Sequence, residues 1–271
     1  MGIHPTAVVS PDARIGDGVT VLAYSIIGEN VSIGPGTVVG PHCVLDGWTS
    51  IGSENRIGPF VTIGTPPQDL SYKGEPTEVI VGDRNVFREY ATVHRGTARG
   101  KGATRIGSDG YFMAYSHVAH DCSVGDNVIM ANGATLGGHV QVGDYASLGG
   151  LVAIHQFVRI GTRAFIGGKS GLRMDMPPYM LAFGAPAKLY GPNLVGLRRQ
   201  GLSRGTIQAL KESYRIIFRS GHSTEEAVEM VRREVELFPE VETLLKFITE
   251  GSKRGVSKRV AADEGSQGSV A

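Results

Sequence analysis

The chain has 271 residues and a mass of 28.7 kDa, enough for one large domain or a domain with an appendage. Hydrophobic residues make up 41% and charged residues 20%, so a packed core is possible and wholesale disorder is excluded. The formal net charge of +1 argues against a dedicated nucleic-acid binder, and only two cysteines exclude a disulfide-built scaffold. No run of residues is apolar enough for a membrane helix or a signal-peptide core, so we expect a cytoplasmic protein.

A six-residue repeat dominates the chain up to Leu172. A large apolar residue recurs at every sixth position from Ile3 to Ile63, and this spacing resumes at Val81 and again at Ile106. A glycine often follows it, and a small or β-branched residue stands four positions after it. Six residues suit one short strand and a turn in which glycine supplies permissive backbone dihedrals. Three such units make a coil of 18 residues, and stacked coils predict a parallel β-helix over 1–178.

Two polar insertions, residues 65–78 and 94–105, interrupt this repeat and must leave the β-helix as loops. Loops on a rigid scaffold often carry function, although solenoids also tolerate them as plain surface excursions. Both cysteines, Cys43 and Cys122, lie on the small inward-facing column. They are too far apart in the stack to bond to each other, so we interpret them as buried filler.

Met176-Pro177-Pro178 ends the six-residue repeat, and beyond Pro192 the apolar residues follow helical spacing. Helices are predicted after Ser203, from Thr224 and from Pro239, within a helical domain over 179–250. We expect residues 251–271 to form a disordered tail. Residues 186–222 contain seven basic residues and a single acidic one. This excess indicates either a solvated helix face or a dock for an acidic partner or phosphates.

Spacing by 18 residues brings histidines from successive coils to one outward-facing corner. The residues concerned are His117, His120, His139 and His155, with Gly138 directly above His120. A histidine is the natural general base at neutral pH, and a notch without a side chain lets a carbonyl approach backbone N–H groups. The competing interpretation is a zinc site, but Asp121 and the glycines break up any compact set of three histidines.

Other function classes lack their sequence patterns. No HExxH, GxSxG or CxxC motif is present, and Gly168-Lys169-Ser170 lacks the earlier glycine of a phosphate loop. A structural or ice-binding solenoid would show regular threonine ladders instead of a histidine corner and two insertions. A zinc-dependent hydratase on the same scaffold is the remaining alternative, which a metal assay would separate.

Several segments resemble the UDP-N-acetylglucosamine acyltransferase family, in order along almost the whole chain. They are QDLSYKGEPT (68–77), HRGT (94–97), HVAHDCSVG (117–125), ATLGGHVQVGD (134–144), AIHQFVRIG (153–161) and GPNLVGLRR (191–199). Members of this family and other hexapeptide-repeat proteins wind left-handed. The resemblance therefore implies a mainly β fold, a left-handed parallel β-helix of hexapeptide repeats followed by a small α-helical C-terminal domain. An N-acyltransferase of the same pathway is the runner-up, but it usually has an extra N-terminal domain, whereas repeats here begin at Ile3.

The resemblance also implies an activity and partners. It implies a homotrimer with active sites between subunits, which moves a 3-hydroxyacyl group from acyl carrier protein to the 3-hydroxyl of UDP-N-acetylglucosamine. This is the first step of lipid A biosynthesis and uses no cofactor or metal. His120 matches the general base, Asp121 the acid that orients it, and the Gly138 N–H the oxyanion donor. Positions matching contacts to the sugar, diphosphate or nucleoside are Gln68, Asp69, His117, His139, His155, Gln156, Asn193 and Arg199.

Two details concern substrate specificity. The family commonly has a lysine where this chain has Ser71, so Lys73 becomes a candidate substitute, which a Lys73→Ala variant would test. A column of mostly small residues at 18-residue spacing, ending at Gly168, is expected to set acyl chain length. The sequence itself predicts neither that length nor whether the sugar's acceptor atom is oxygen or nitrogen.

Overall fold

A computed structural model describes residues 2–258 and 260–261, and its larger part is a parallel β-helix of triangular cross-section. Three sheets form its three faces, and each coil adds one short strand to each sheet. The register agrees with the 18-residue repeat, since Val118 pairs with Leu136 and Leu136 with Ile154. Each turn of the chain therefore stacks equivalent residues on top of one another.

The first face, sheet A, contains eleven strands in chain order. They are β1 (Gly2–Ile3), β4 (Thr20–Val21), β7 (Val38–Val39), β10 (Arg56–Ile57), β13 (Val86–Phe87), β16 (Tyr111–Phe112), β19 (Ile129–Met130), β22 (Ser147–Leu148), β25 (Phe165–Ile166), β27 (Met180–Phe183) and β28 (Lys188–Pro192). Only the last pair, β27 and β28, is antiparallel. The strands thus continue to Pro192, beyond the domain boundary expected at residue 178, because β27 pairs with β25 and extends the stack.

The other two faces are sheets B and C. Sheet B contains β2 (Val8–Val9), β5 (Ile26–Ile27), β8 (Val44–Leu45), β11 (Thr62–Thr65), β14 (Thr92–His94), β17 (His117–Val118), β20 (Thr135–Leu136), β23 (Ala153–Ile154) and β26 (Gly171–Leu172). Sheet C contains β3 (Arg14–Ile15), β6 (Val31–Ile33), β9 (Trp48–Ile51), β12 (Glu78–Val81), β15 (Ala103–Ile106), β18 (Ser123–Val124), β21 (Gln141–Val142) and β24 (Arg159–Ile160). The corner between sheets B and C is called the BC corner below, and that between A and B the AB corner.

The core of the β-helix consists of the repeated apolar and small residues. Phe87 and Phe112 stack inside it with ring centroids 4.7 Å apart. Both cysteines are buried free thiols, and burial raises the pKa of Cys43 to about 11 and that of Cys122 to about 12. Thiols held in the protonated form are poor nucleophiles, so the prediction that both are buried filler is confirmed.

The repeated glycines act differently from our expectation. Positive φ angles at the corners belong mostly to other residues, such as Tyr115 at 61° and Asp121 at 60°. At Gly34 and Gly40 a Cβ atom would instead collide with the backbone of the next coil. The glycine column is therefore needed for close stacking of coils, a packing constraint that spacing alone does not separate from a turn requirement.

The two insertions leave the register of sheet C unchanged, and in sheet B the pairing of β11 with β14 has a bulge between Ile63 and Thr65. Ile51 pairs with Val81, and Val81 pairs with Ile106, in the same register as elsewhere. The extra chain lies outside the strands, between β11 and β12 and between β14 and β15. A rigid scaffold thus holds both ends of each loop.

Four helices follow the strands: α1 (Leu194–Arg199), α2 (Arg204–Arg219), α3 (Thr224–Glu234) and α4 (Pro239–Thr249). Ser203 caps α2 through the Thr206 N–H, and Ser223 forms a capping box with Glu226 at the start of α3. The helix starts predicted for α2, α3 and α4 are confirmed. Within the described residues, no helix has the length and apolarity needed to cross a bilayer.

The expectation of a disordered tail is wrong for the described part of 251–271. Residues 251–258, named the C-terminal strap here, run back along the β-helix, and Val256 forms a parallel bridge with Asp175. The next described residues continue this path, and the Ala261 N–H donates to the Leu189 carbonyl at 2.8 Å. Free backbone groups at the end of the stack hold this polar segment, which composition does not reveal. Residues 259 and 262–271 lie outside the described part.

Candidate active site

The BC corner brings together the residues that the 18-residue spacing aligned. His120 and Asp121 occupy the turn between β17 and β18, and His139 occupies the same turn one coil later. The rings of His120 and His139 meet edge to face with centroids 5.1 Å apart. His139 in turn stacks on Phe157 of the following coil at 4.3 Å. These rings form a continuous ladder over three coils.

Asp121 is fully buried beneath His120 and accepts a hydrogen bond from its Nδ1 at 2.9 Å. It also accepts bonds from the Thr97 hydroxyl at 2.7 Å and the Lys101 N–H at 2.8 Å. Burial alone would raise the pKa of Asp121, but these bonds outweigh it and lower that pKa to about 2. The carboxylate is therefore ionised at neutral pH and can only accept, so His120 donates from Nδ1 and leaves Nε2 free.

The second insertion builds the cavity that holds this carboxylate. Thr97 and Lys101 belong to it, and between them Gly100 packs so closely that a Cβ atom would collide with the Asp121 carboxylate. Spacing arguments missed Thr97 and Lys101 because the repeat says nothing about loop conformation. The HRGT motif was the available signal, since it ends at Thr97.

Gly138 lies directly over the His120 imidazole. A Cβ atom at residue 138 would lie 2.5 Å from His120 Cε1 and 2.7 Å from Nε2, so only glycine leaves this space open. Within the described residues its N–H has no acceptor, as is usual for the first turn residue of each coil. A bound carbonyl oxygen at this point would meet a free backbone donor beside the free nitrogen of His120.

Two further histidines line the outer face of sheet B. His117 Nδ1 lies 2.7 Å from the Thr92 hydroxyl, and its ring meets that of His94 edge to face at 4.8 Å. Burial lowers the pKa of His117, and the charge of His120 lowers it further. Burial also lowers the pKa of His94 to about 4, with the charges of His117 and His120 adding to the effect. Both rings are therefore neutral at pH 7.

The first insertion brings Asp69 towards the same corner. Hydrogen bonds from Ser71 lower the pKa of Asp69, and the nearby charges of His120 and Arg99 contribute in the same direction. The neighbouring Gln68 is exposed. Asp69 therefore presents an ionised carboxylate near His120.

A buried arginine holds the first insertion in place. Arg95 donates from Nε to the Tyr72 hydroxyl at 2.9 Å and from Nη1 to the Gly64 carbonyl at 2.8 Å. The Tyr72 hydroxyl donates to the Glu75 carbonyl at 2.6 Å. Because Arg95 ties the loop to β11, the loop that contains Asp69 has a defined position.

The remaining predicted residues fall into two groups. His155 and Gln156 are exposed at the BC corner, where the Gln156 carbonyl accepts from Arg254 of the C-terminal strap. Asn193 instead caps α1 through the Gly196 N–H, and Arg199 is exposed at the end of that helix without a partner among the described residues. The structure does not link Asn193 or Arg199 to His120 within one chain.

A second groove lies at the AB corner and has a volume of about 730 Å³. Gly168 lines it, together with Asn132 and Gly150 of the preceding coils. A Cβ atom at residue 168 would lie 3.2 Å from the Gly150 carbonyl oxygen, so there is little spare room beside it. Sheet B separates this groove from the BC corner.

One set of side chains resembles a metal site. The ligand atoms of His120, Asp121 and His139 all lie within 4.8 Å of one another. The Asp121 oxygens, however, already accept from Thr97, Lys101 and His120. A cation would have to displace the hydrogen bond that orients His120, so these residues fit an acid–base pair better than a zinc site.

Two family models match the chain. The model described as UDP-N-acetylglucosamine O-acyltransferase, domain 2, matches residues 175–257, which include most of the C-terminal strap. The model of six bacterial transferase hexapeptide repeats matches residues 12–47, 30–65 and 103–138. Together they account for both parts of the fold.

Relatives of known name are similar over nearly the whole chain. Acyl-[acyl-carrier-protein]–UDP-N-acetylglucosamine O-acyltransferase of Syntrophobacter fumaroxidans is 60% identical and that of Thermodesulfovibrio yellowstonii 53%, each over 94% of this chain and 99% of the relative. The solved UDP-N-acetylglucosamine O-acyltransferase of Moraxella catarrhalis is 42% identical with a TM-score of 0.91, covering 94% of this chain and 99% of that one. The Campylobacter jejuni structure is 38% identical with a TM-score of 0.90, covering 96% and 100%. These matches confirm the left-handed β-helix with a helical C-terminal part.

Proposed function

The chain belongs to the UDP-N-acetylglucosamine O-acyltransferase family, and from this premise we propose that His120 is the general base of its reaction. It is an enzyme that transfers an acyl group from acyl carrier protein to UDP-N-acetylglucosamine. As family membership implies, this is the first step of lipid A biosynthesis. The observation that supports the role of His120 is its bond to the buried, ionised Asp121, which leaves Nε2 free.

The chemistry follows from this pair. His120 Nε2 takes the proton of the sugar's 3-hydroxyl while that oxygen attacks the thioester carbonyl of the 3-hydroxyacyl donor. The ionised Asp121 stabilises the imidazolium that forms, and the Gly138 N–H donates to the developing oxyanion. The tetrahedral intermediate then expels the thiolate of the carrier, which takes the proton back from His120. An ester bond forms and a thioester bond breaks, with no external proton needed.

The other predicted residues have supporting roles in this proposal. His139 and Asp69 border the acceptor sugar next to His120, and His117, on the outer face of sheet B, also contacts the sugar nucleotide. The positions further along the BC corner, His155 and Gln156, and the exposed Gln68 bind other parts of the sugar nucleotide. Their placement around one corner supports these assignments.

We propose a homotrimer in which each site uses two chains. Asn193 and Arg199 match family positions for the sugar nucleotide, yet among the described residues Asn193 bonds to Gly196 and Arg163, and no hydrogen bond links either residue to the His120 corner of its own chain. A ladder of stacked rings also runs along the AB corner, from Tyr24 to Tyr115, with Tyr24 59% and Tyr115 63% exposed. Light scattering should give three times the chain mass, and a monomer would contradict the proposal.

The basic residues around α1 and α2 fit a dock for the acidic carrier protein. Arg198, Arg204 and Lys211 are all exposed on this part of the chain. Opposite charge on carrier and enzyme would speed their encounter at low salt. The two free thiols support the proposal that the enzyme is cytoplasmic.

Turnover with defined substrates tests the proposed function. Purified enzyme should acylate UDP-N-acetylglucosamine when given 3-hydroxyacyl carrier thioesters of a panel of chain lengths. The matched acceptor with an amine at the sugar's 3-position separates oxygen from nitrogen as the acceptor atom. No product with any thioester and the normal acceptor would contradict the assignment.

A further inference from the structure

A groove of about 600 Å³ opens beside the BC corner on the side of sheet C. Asp69 and His139 line it, so it is continuous with the proposed acceptor site. Three of its four lining cations are Arg99 and Lys101 from the second insertion and Lys253 from the C-terminal strap. Positive charge from two distant parts of the chain therefore converges on one groove.

These three cations have no ion-pair partner among the described residues. Lys101 Nζ donates only to the neutral Ser123 hydroxyl at 3.1 Å, and Lys253 Nζ lies 4.1 Å above the Phe157 ring. Arg99 is exposed and forms no hydrogen bond there. A fourth lining cation, Arg159, is instead neutralised by a 2.6 Å ion pair with the buried Asp175. The groove thus keeps an unbalanced positive charge.

The C-terminal strap fixes the position of Lys253. Arg254 Nε donates to the Gln156 carbonyl at 2.7 Å, and the Asp175 N–H donates to the Gly255 carbonyl at 2.8 Å. Lys253 directly precedes these two anchored residues, and its Nζ lies over the Phe157 ring, which stacks on His139. Its charge, with that of Lys101, adds to burial in lowering the pKa of His139. These contacts therefore fix Lys253 in the wall of the groove.

We propose that Arg99, Lys101 and Lys253 form an anion site that binds a phosphate group of one of the enzyme's two substrates. The proposal rests on the proposed function, since both substrates contain phosphate: the diphosphate of the sugar nucleotide and the phosphopantetheine of the carrier. Arg99, Lys101 and Lys253 are exposed along this one groove, and lysine and arginine side chains placed in this way bind phosphate oxygens through charge-assisted hydrogen bonds. Asp69 in the same groove would repel a phosphate, so the anion lies towards the strap and the uncharged sugar or acyl end towards His120.

Three single variants test the site: Lys253→Gln, Lys101→Gln and Arg99→Gln. Each removes charge, and Lys101→Gln keeps the N–H that Asp121 accepts. The matched control is Lys258→Gln, which makes the same change on the same strap outside the groove. We expect KM to rise about tenfold for one substrate, with kcat within about twofold of wild type and the control unchanged.

The two substrates distinguish the phosphate sources. A rise in KM for UDP-N-acetylglucosamine assigns the site to the diphosphate, and a rise in KM for the acyl carrier assigns it to phosphopantetheine. Calorimetric titration with UDP and with 4′-phosphopantetheine gives the same information without turnover. If the wild type has no turnover, the proposed function fails while these titrations still decide the anion site. Unchanged KM values and unchanged affinities for both ligands in all three variants would overturn it.

Discussion

At the scale of single residues, the site depends on how one buried carboxylate is held. Asp121 has a positive φ of 60°, which aspartate tolerates better than most residues. Its low pKa follows from the donors of the second insertion, which lie 20 to 24 residues earlier in the chain. The second insertion therefore holds the carboxylate of the acid–base pair in place.

A buried histidine gives the protein a stability that depends on pH. The pKa of His94 is about 4 in the folded chain, whereas its ordinary value is 6.5, because burial disfavours the charged ring. Between these values the unfolded chain binds a proton that the folded chain does not, so stability is complete above pH 6.5 and falls as pH falls towards 4. The contribution lost between pH 7 and pH 5 is about 2 kcal/mol.

Urea unfolding at pH 7 and pH 5 measures this effect. His94→Asn should lose less stability than the wild type on acidification, because asparagine does not titrate. His222→Asn, which changes an exposed histidine, is the control and should behave as the wild type. Equal losses in His94→Asn and the wild type would contradict the assignment.

At the scale of elements, sheet B separates two functional corners. Its outer face connects the His120 corner with the AB groove. On β20 and β23, two of the strands of this face, the exposed residues are Thr135 and Ala153. An acyl chain whose thioester lies at His120 can cross this face and end in the groove. The last coil of that groove, at Gly168, would then limit its length.

Substitution of Gly168 tests this path. Gly168→Met should fill the groove and shorten the preferred acyl chain by several carbons, with long thioesters losing activity most. Gly168→Ala, which adds one carbon against the Gly150 carbonyl, should have a smaller effect in the same direction. The measurement is kcat/KM over thioesters of increasing length, and an unaltered preference in Gly168→Met would place the acyl chain elsewhere.

The C-terminal strap is an element whose conformation could not be predicted from its sequence. Its composition predicts disorder, yet hydrogen bonds to Asp175 and Gln156 hold it against the β-helix. Those partners are backbone groups that only the complete stack of coils brings into reach of the strap. A segment with polar composition can be ordered when tertiary structure supplies acceptors and donors that no local pattern contains.

At the scale of the whole molecule, the repeat made most of the fold predictable. One period specifies strand, turn and inward face together, so the contact of His120 with His139 follows from counting residues. The residues that the repeat could not place are those on the insertions and the strap. Thr97, Arg95 and Lys253 lie on irregular segments whose conformation depends on contacts between distant parts of the chain.

The assembly connects these scales. One chain supplies the acid–base pair, while Asn193 and Arg199, at the two ends of α1, form no hydrogen bond with that pair among the described residues. In the proposed trimer a neighbouring chain completes each site, which explains why family positions are spread over the molecule. Loss of assembly should therefore abolish turnover even with His120 and Asp121 intact.

The most direct test of the account is the turnover of His120→Ala with UDP-N-acetylglucosamine and a 3-hydroxyacyl carrier thioester. The His120 side chain lies on the outside of the β-helix and is 14% exposed. The variant should therefore fold and assemble as the wild type does. We predict a loss of about a thousandfold or more in kcat. A correctly assembled His120→Ala enzyme with activity within about tenfold of the wild type would contradict the assignment of His120 as general base.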